Sequence, residues 1–296
     1  MGILSDGEAT APPLLAPAEK PRFPSSLTMS MAEAAQLMSG RYCHIVGILG
    51  APDAGKTASI ASLFMLLARD KLSGFHFADS RTIRALNEIS QGARRWNDGA
   101  PPEQMTSHTK LADDREAGFL HLRLRSKDGE AFDFLLPDLP GEWSDTLIDR
   151  NRTDRLNFLK AADAVWIMAD GRQLASLESR LTTLRRLDLL LARAATFMNR
   201  PVPVFLVLSH RDSGEPNARD IEELKASAAR KGIDLAVVSI ASFRRRGGLT
   251  AAGFGIADLI SETLGAPRQP PKLWPDIDQS LEARSILRYT SMRRAR

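Results

Sequence analysis

Apolar and polar residues follow two alternating patterns along most of this chain. Continuous apolar runs, typical of buried strands, cover His44–Leu49, Ala164–Ala169, Val202–Leu208 and Leu235–Ile240. Between these runs, apolar residues recur every three or four positions, which predicts helices. The predicted helices are Ala58–Arg69, Ser80–Trp96, roughly Trp143–Lys160, a leucine stripe from Leu174 to about Met198, roughly Ala218–Lys231, and Gly255–Leu264. Strands that alternate with helices favour a mostly parallel sheet covered by helices on both faces.

One region has a different period. Phe119–Arg125 alternates apolar and polar residues, and so does the start of Ala131–Pro137. The Lys127-Asp128-Gly129 stretch between them is typical of a hairpin turn. The sequence therefore predicts an α/β fold whose mostly parallel sheet contains one antiparallel hairpin strand. A brief strand is also predicted at Phe75–Phe77.

The two ends of the chain differ from its middle. Residues 1–41 are rich in Ala, Pro and Ser and predict a flexible segment, with room for a short helix over Met29–Met38. Residues 42–265 hold the predicted strands as one domain, into which a strand–helix unit over residues 75–97 is inserted. Residues 266–296 carry seven Lys or Arg against three Asp or Glu, so this basic C-terminal extension accounts for the whole net charge of +4.

Composition excludes several classes of protein. With 43% hydrophobic and 26% charged residues, the chain resembles an ordinary soluble protein. No apolar run approaches the roughly 18 residues of a transmembrane helix. Met1–Lys20 has no basic start, so a secretory signal is not expected. A single cysteine, Cys43, excludes an intramolecular disulfide framework and a cysteine-based zinc site. We expect a cytoplasmic protein.

The strongest motif follows the first predicted strand. Gly50–Thr57 (GAPDAGKT) matches the phosphate-binding pattern G-x-x-x-x-G-K-[ST], or P-loop. Gly50 and Gly55 let the backbone curl so that its N–H groups point at phosphate oxygens. Lys56 supplies a positive charge for the β- and γ-phosphates, and the Thr57 hydroxyl is a Mg²⁺ ligand. Because the motif lies between a strand and a helix, we expect a nucleotide-binding site with bound Mg²⁺.

A second motif ends the second hairpin strand, at Asp138–Glu142 (DLPGE). An Asp at the end of a buried strand can hold Mg²⁺, directly or through water. Gly141 lets its own N–H contact a γ-phosphate, so this loop can sense hydrolysis. A plain Asp-x-Pro-Gly turn is the alternative.

Two further motifs end the last two buried strands. In Ser209-His210-Arg211-Asp212, the carboxylate of Asp212 can accept both N1–H and N2–H of guanine, which adenine does not offer. Ser239 and Ile240, in Val238–Ala241, are expected to present backbone N–H groups to the base edge. A loop carboxylate without this role remains an alternative for Asp212.

In this order the motifs resemble the G domain of Ras-like, translation-factor-class GTPases over about Arg41–Leu264. The hairpin resembles the mark of that class, an antiparallel strand beside the P-loop strand, in a three-layer P-loop NTPase sandwich. The DLPGE stretch, with Ala162–Val165 and Ala169–Leu174 after it, is similar to the bacterial double-GTPase family, which is associated with multi-gene conflict or defence systems. The implied nucleotide-binding residues are Gly50, Asp53, Ala54, Gly55, Lys56, Thr57, Ala58, Asp138, Gly141, His210, Asp212, Ser239 and Ile240.

The sequence departs from the family pattern at three places. Ser209 and His210 replace the Asn/Thr and Lys of the guanine motif, which weakens the expected guanine preference. Glu142 stands where the family has a Gln that orients the attacking water, so slow hydrolysis is expected, unless Glu142 acts as a base. The first switch also needs a Thr for Mg²⁺ and the γ-phosphate, and Thr106 is preferred over Thr109. The catalytic candidates are thus Lys56, Glu142 and Thr106.

Three functions stay open on the sequence. A regulatory GTPase with bound GTP or GDP is favoured, ahead of a P-loop ATPase or kinase and of a nucleotide-locked scaffold. We expect an unidentified protein partner, either a second GTPase or an activating protein. Nucleic acid is not expected, because aromatic residues do not interleave with basic ones. The extension after residue 265, with Leu273 and Trp274, is predicted to bind a partner, an anionic surface or its own domain.

Overall fold

The structure is a computed structural model that describes residues 27–94, 118–138, 141–150, 154–198, 201–244 and 250–266. Its strands are β1 (Cys43–Leu49), β2 (Phe75–Asp79), β3 (Gly118–Ser126), β4 (Ala131–Asp138), β5 (Ala164–Asp170), β6 (Val204–Ser209) and β7 (Leu235–Ser239). Its α-helices are α1 (Met31–Gly40), α2 (Lys56–Ala68), α3 (Ile83–Arg94), α4 (Gly141–Arg150), α5 (Gly171–Ala175), α6 (Arg180–Phe197), α7 (Ala218–Arg230) and α8 (Ile256–Gly265). A 3₁₀ helix covers Asp154–Ala161. Residues 1–26 of the predicted flexible start and residues 267–296 of the basic extension lie outside the described ranges, whereas the short helix predicted over Met29–Met38 is present as α1.

The strands form one seven-stranded sheet in the order β2-β3-β4-β1-β5-β6-β7. β4, β1, β5, β6 and β7 are mutually parallel, and β3 is antiparallel to both of its neighbours. The predicted α/β fold and the hairpin are therefore confirmed. The expected antiparallel strand beside β1 is wrong, because β4 pairs with β1 in parallel while β3 pairs with β2 on its other side.

Helices cover both faces of the sheet, as the strand pattern predicts. Alternate residues of β1 face opposite sides: Ile45 and Leu49 belong to one buried cluster, and Val46 and Ile48 to the other. The first cluster includes side chains of α1, α4, α6 and α7. The second includes side chains of α2, α3 and α8. The inserted unit extends the sheet, since β2 forms its edge and α3 lies against α2.

Two predicted helices are each interrupted. The helix expected over Trp143–Lys160 is α4 followed by the 3₁₀ helix. The buried Leu156 and Leu159 are three residues apart, so they share one face of a 3₁₀ turn. The leucine stripe from Leu174 to Met198 is divided between α5 and α6, and Leu177 in the gap is 85% exposed. The buried face of α6 is instead formed by Leu187, Leu190, Leu191 and Ala194.

Within the ranges that the structure describes, no helix has the length and apolar character required to cross a membrane.

Candidate functional site

The carboxyl ends of five strands lie together along one end of the sheet. This end, which is distinct from the edge strands β2 and β7, is called the carboxyl edge. Because β1, β4, β5, β6 and β7 are parallel, their carboxyl ends lie at the same edge. The loop after β1 starts there, and the other four strands end there at Asp138, Asp170, Ser209 and Ser239. All four motifs singled out in the sequence therefore meet at one edge, the position at which parallel α/β sheets bind ligands.

The loop between β1 and α2 has a tightly turned backbone. Its φ angles are positive at Gly50 (+153°), Asp53 (+59°) and Gly55 (+89°). A Cβ added to Gly50 would lie 2.6 Å from the carbonyl oxygen of Met168, and one added to Gly55 would lie 3.1 Å from Cβ of Ser209. Glycine is therefore required at both positions by the backbone angle and by the neighbouring strands.

Lys56 is turned back over this loop. Its Nζ donates hydrogen bonds to the carbonyl oxygens of Gly50 and Ala51, both at 2.7 Å. Lys56, Thr57 and Ala58 also form the first turn of α2, whose N-cap, Gly55, provides no side-chain acceptor. The N–H groups of a first helical turn have no acceptor within the helix. A cation and a helix N-terminus thus face the same loop, which is the chemistry of a phosphate site.

The second motif lies next to this loop. β4 ends at Asp138 beside β1, and α4 begins at Gly141 and continues through Glu142. The side chains of Asp138 and Glu142 lie outside what the structure describes. Three residues into α4, the buried hydroxyl of Ser144 accepts a hydrogen bond of 3.0 Å from the N–H of Gly50. The sequence offered no signal for this bond between the loop and α4.

The residues at this edge are suited to Mg²⁺. This ion prefers oxygen ligands and usually takes only one or two from the protein, with water and phosphate as the others. A hydroxyl at Thr57 on α2 and a carboxylate at Asp138 on the strand beside β1 provide that donor set. The first-switch candidates Thr106 and Thr109 lie outside the described residues.

His210 sits where the guanine motif has its lysine. Its φ is +56°, and its ring lies next to the loop, with Cε1 3.7 Å from a Cβ added to Gly55. The Ser209 hydroxyl donates to the carbonyl oxygen of Ala169 at 3.1 Å, so it accepts from Nδ1–H of His210 at 2.7 Å. Burial lowers the pKa of His210 below its ordinary value. The imidazole is therefore neutral at neutral pH. Asp212, two residues later in the same motif, is half-buried.

Asp170 and Arg172, to which the sequence assigns no individual role, lie beside His210. Nε and Nη2 of Arg172 donate to the carboxylate of Asp170, with the shortest bond at 2.8 Å, and the backbone N–H of Arg172 donates to it as well. Nδ1 of His210 is 3.5 Å from the same carboxylate. Burial opposes the charge on Asp170, but the hydrogen bonds from Arg172 and its positive charge outweigh this effect and lower the pKa of the carboxyl. The signal was available, because Asp170 ends a buried strand as Asp138 does.

Gly171, between these two residues, allows the close approach of β5 and β6. A Cβ at this position would overlap the carbonyl oxygen of Ser209. Asp170 also lies opposite Ser209 in the register of the two strands.

At the fourth motif, the backbone N–H groups of Ile240 and Ala241 are engaged within the fold. The N–H of Ile240 donates to the carbonyl oxygen of Leu208 at 2.8 Å, and the N–H of Ala241 donates to that of Phe254 at 3.0 Å. Both N–H groups therefore have acceptors within the fold, and the contact of Ile240 with a base stays a prediction. Ser239 stays a prediction.

A second histidine, His121, lies near the opposite end of β1. The sequence places no second His or Cys at metal-ligand spacing from it, which predicts a solvated or edge-strand residue. His121 is instead fully buried on β3, an inner strand. Its Nδ1 accepts from the N–H of Arg81 at 2.9 Å, so its Nε2–H donates to Asp133 at 2.9 Å. Arg41 also contacts Asp133, at 3.2 Å. The expectation was wrong because β2 covers the edge of β3.

Comparison with known proteins gives one family. The family model of Double-GTPase 2 matches residues 44–265. Among solved structures, the chain is similar to the signal recognition particle receptor SRb-GTP/SRX complex from Chaetomium thermophilum, with 16% identity, 70% of this chain and 94% of that chain covered, and a TM-score of 0.42. It is also similar to a mutation variant of SsGBP, with 12% identity, 79% and 58% covered, and a TM-score of 0.38. No curated protein matches the chain.

Proposed function

The chain belongs to the Double-GTPase 2 family, and on that premise we propose that it is a Mg²⁺-dependent regulatory switch that binds GTP and GDP and hydrolyses GTP slowly. The observation that carries this proposal is the loop between β1 and α2, over which the Lys56 ammonium is held by the carbonyl oxygens of Gly50 and Ala51. A phosphate chain is the ligand that such a cation and the adjoining helix N-terminus favour.

Mg²⁺ would be held by Thr57 and Asp138, with Thr106 as the candidate from the first switch. When bound, this ion neutralises negative charge on the β- and γ-phosphates. Lys56 adds its charge from the side of the loop, while Asp53, Ala54, Gly55 and Ala58 contribute backbone N–H groups.

The switch would act through Gly141 and α4. The N–H of Gly141 contacts the γ-phosphate in GTP and loses that contact in GDP, so the start of α4 responds to hydrolysis. The bond between Ser144 and Gly50 supports this role, since it joins α4 to the phosphate loop three residues farther along.

The decisive test is nucleotide binding measured by isothermal titration calorimetry with Mg²⁺. Lys56→Ala is expected to weaken GTP and GDP binding by about 100-fold or more, because a charge-assisted contact to phosphate is lost. Lys225→Ala is the matched control, since Lys225 is paired with Glu222 on the exposed face of α7. Binding that Lys56→Ala leaves unchanged would refute the proposal.

Guanine selection would rest on Asp212, with His210 close to the loop. The neutral imidazole at the lysine position favours a second candidate, a P-loop ATPase or kinase. Competition between ATP and GTP for the same site distinguishes the two, and preference for ATP would favour the second candidate.

Slow hydrolysis follows from Glu142, because a carboxylate near the γ-phosphate is repelled by it. In this class an arginine supplied by a partner raises the rate by about 10³- to 10⁵-fold. Within this chain, Arg150, Arg152 and Arg155 follow the DLPGE motif and are candidates for the same role, and their side chains lie outside the described residues. We expect turnover below about one per second in the isolated protein, and a faster single-turnover rate would contradict this role of Glu142.

The partner would be a second GTPase or an activating protein in the cytoplasm, within a bacterial multi-gene conflict or defence system. Co-purification from the native host with GTP or with GDP tests it: a partner retained only with one nucleotide is expected.

A further inference from the structure

We infer that the guanidinium of Arg172 stacks on the face of the bound purine base, in the role that the lysine of the guanine motif would have. This inference rests on the proposed function and names the residue that holds the base. It separates two contacts: Arg172 with the face of the ring, and Asp212 with its edge.

The first step is that His210 does not supply a cation. Its Nδ1–H donates to Ser209, and the ring is enclosed between that hydroxyl, the carboxylate of Asp170 and Gly55 of the loop. Burial keeps this imidazole neutral at neutral pH. The motif thus lacks the positive charge that its usual lysine carries.

The second step is that a cation from the neighbouring strand end stands close by. One carboxylate, that of Asp170, accepts from both the backbone N–H and the guanidinium of Arg172. The Asp170 side chain is 10% exposed, whereas that of Arg172 is 49% exposed. Asp170 therefore holds the guanidinium through Nε and Nη2, and the rest of the Arg172 side chain remains exposed.

The third step concerns the charges around Arg172. Its hydrogen bonds to Asp170 raise the pKa of the guanidinium, and the carboxylates of Asp53 and Asp212 add to this effect. Asp53 belongs to the phosphate loop and Asp212 to the guanine motif. Arg172 thus lies within electrostatic reach of both sides of the nucleotide site. A planar guanidinium held in this way is suited to stacking on a nucleobase.

The test measures binding of GDP, IDP and inorganic tripolyphosphate to the full-length chain with Mg²⁺. Arg172→Ala is expected to reduce the affinities for GDP and for IDP by the same factor, about tenfold. Tripolyphosphate affinity is expected to stay unchanged, because this ligand has no base. Asp212→Asn is expected to act differently. It should weaken the binding of GDP more than the binding of IDP, because the base of IDP lacks the N2–H group and binds less tightly already. Arg219→Ala, which removes an exposed ion-paired arginine on α7, is the matched control.

Two results would overturn the inference. Unchanged GDP affinity in Arg172→Ala would show no contact with the base. An equal loss for GDP and tripolyphosphate would show that Arg172 only supports the fold. If Arg172→Ala does not fold, Arg172→Lys serves instead, because it keeps a positive charge for Asp170 and removes the planar group. A smaller loss of affinity, still confined to GDP and IDP, is then expected. Failure of the proposed function is distinct, as wild-type protein would then bind neither GDP nor GTP.

Discussion

Two histidine–aspartate pairs occupy opposite ends of this sheet and have opposite characters. His121 and Asp133 lie near the start of β1, since Asp133 is opposite Cys43 in the register. His210 and Asp170 lie at the other edge, near the loop that follows Leu49. The length of β1, about 20 Å, separates these two edges.

The first pair has its polar atoms satisfied from within the protein. The two ring nitrogens of His121 are paired with Arg81 and Asp133, and its backbone N–H donates to Thr82. Asp133 also contacts Arg41 and Arg123. With both side chains buried, no ligand can reach this pair. Its role is to join β3 and β4 beneath the edge strand β2.

The second pair has a partly exposed histidine with a left-handed backbone. The His210 side chain is 28% exposed, and its φ of +56° is unfavourable for a residue other than glycine. Such backbone strain concentrates at functional sites. The difference teaches that burial with complete pairing indicates structure, whereas partial exposure with strain at a strand end indicates function.

The largest expected difference between the two histidine–aspartate pairs is in their contribution to the stability of the fold. Asp133→Leu is expected to lower the free energy of unfolding by about 3 kcal/mol, because Nε2–H of His121 loses its acceptor and Arg41 its partner. Urea unfolding followed by circular dichroism measures it. Asp188→Ala, at a half-exposed pair with Lys231, is the control and should cost less than about 1 kcal/mol. A similar loss in both variants would remove the structural distinction.

The second-largest effect is expected from a substitution next to the pair of His210 and Asp170. Gly171→Ala is expected to cost about 1–2 kcal/mol, because the new Cβ overlaps the Ser209 carbonyl and the ends of β5 and β6 must separate. Nucleotide binding should weaken as well, since Asp170 and His210 move apart. Thermal unfolding and calorimetric titration report the two losses. Gly40→Ala, with open space around it, is the control; equal behaviour of the two variants would contradict the account.

The smallest effect is a pH dependence that both histidines share. Burial lowers the pKa of His121 and of His210 in the folded protein. The unfolded chain therefore takes up protons below about pH 6.5 that the folded protein does not, so stability is complete above that pH and falls as the pH decreases. The free energy of unfolding should fall by about 1 kcal/mol between about pH 7.5 and 5.5.

Urea titrations at several pH values measure this dependence. His210→Asn, which the left-handed backbone tolerates, should remove the contribution of His210 and leave that of His121. A stability that rises as the pH falls through this range would show that the sign is wrong.

Local patterns in the sequence predicted most of the fold and the centre of the site. The buried strands are continuous apolar runs, and the loop at Gly50–Thr57 has its own signature. What the sequence did not reveal depends on contacts between distant residues. Neither the pairing of β4 with β1 nor the cover that β2 gives to His121 is visible in a local period. The position of Arg172 beside the site is hidden in the same way, because the charges of Asp53 and Asp212 come near it only in the folded protein.

The central position of β1 has a consequence for the order in which the protein folds. β3 pairs with the next strand along the chain, β4; β5 pairs with β6, and β6 with β7. Both halves of the sheet therefore form through relatively local contacts. β1 joins the first half only when Cys43 meets Asp133, which closes a loop of about 90 residues at a considerable cost in chain entropy. Because the phosphate loop follows β1 directly, we expect it to be completed late in folding. A nucleotide that binds only the folded protein would therefore shift the balance between folded and incompletely folded molecules as its concentration changes.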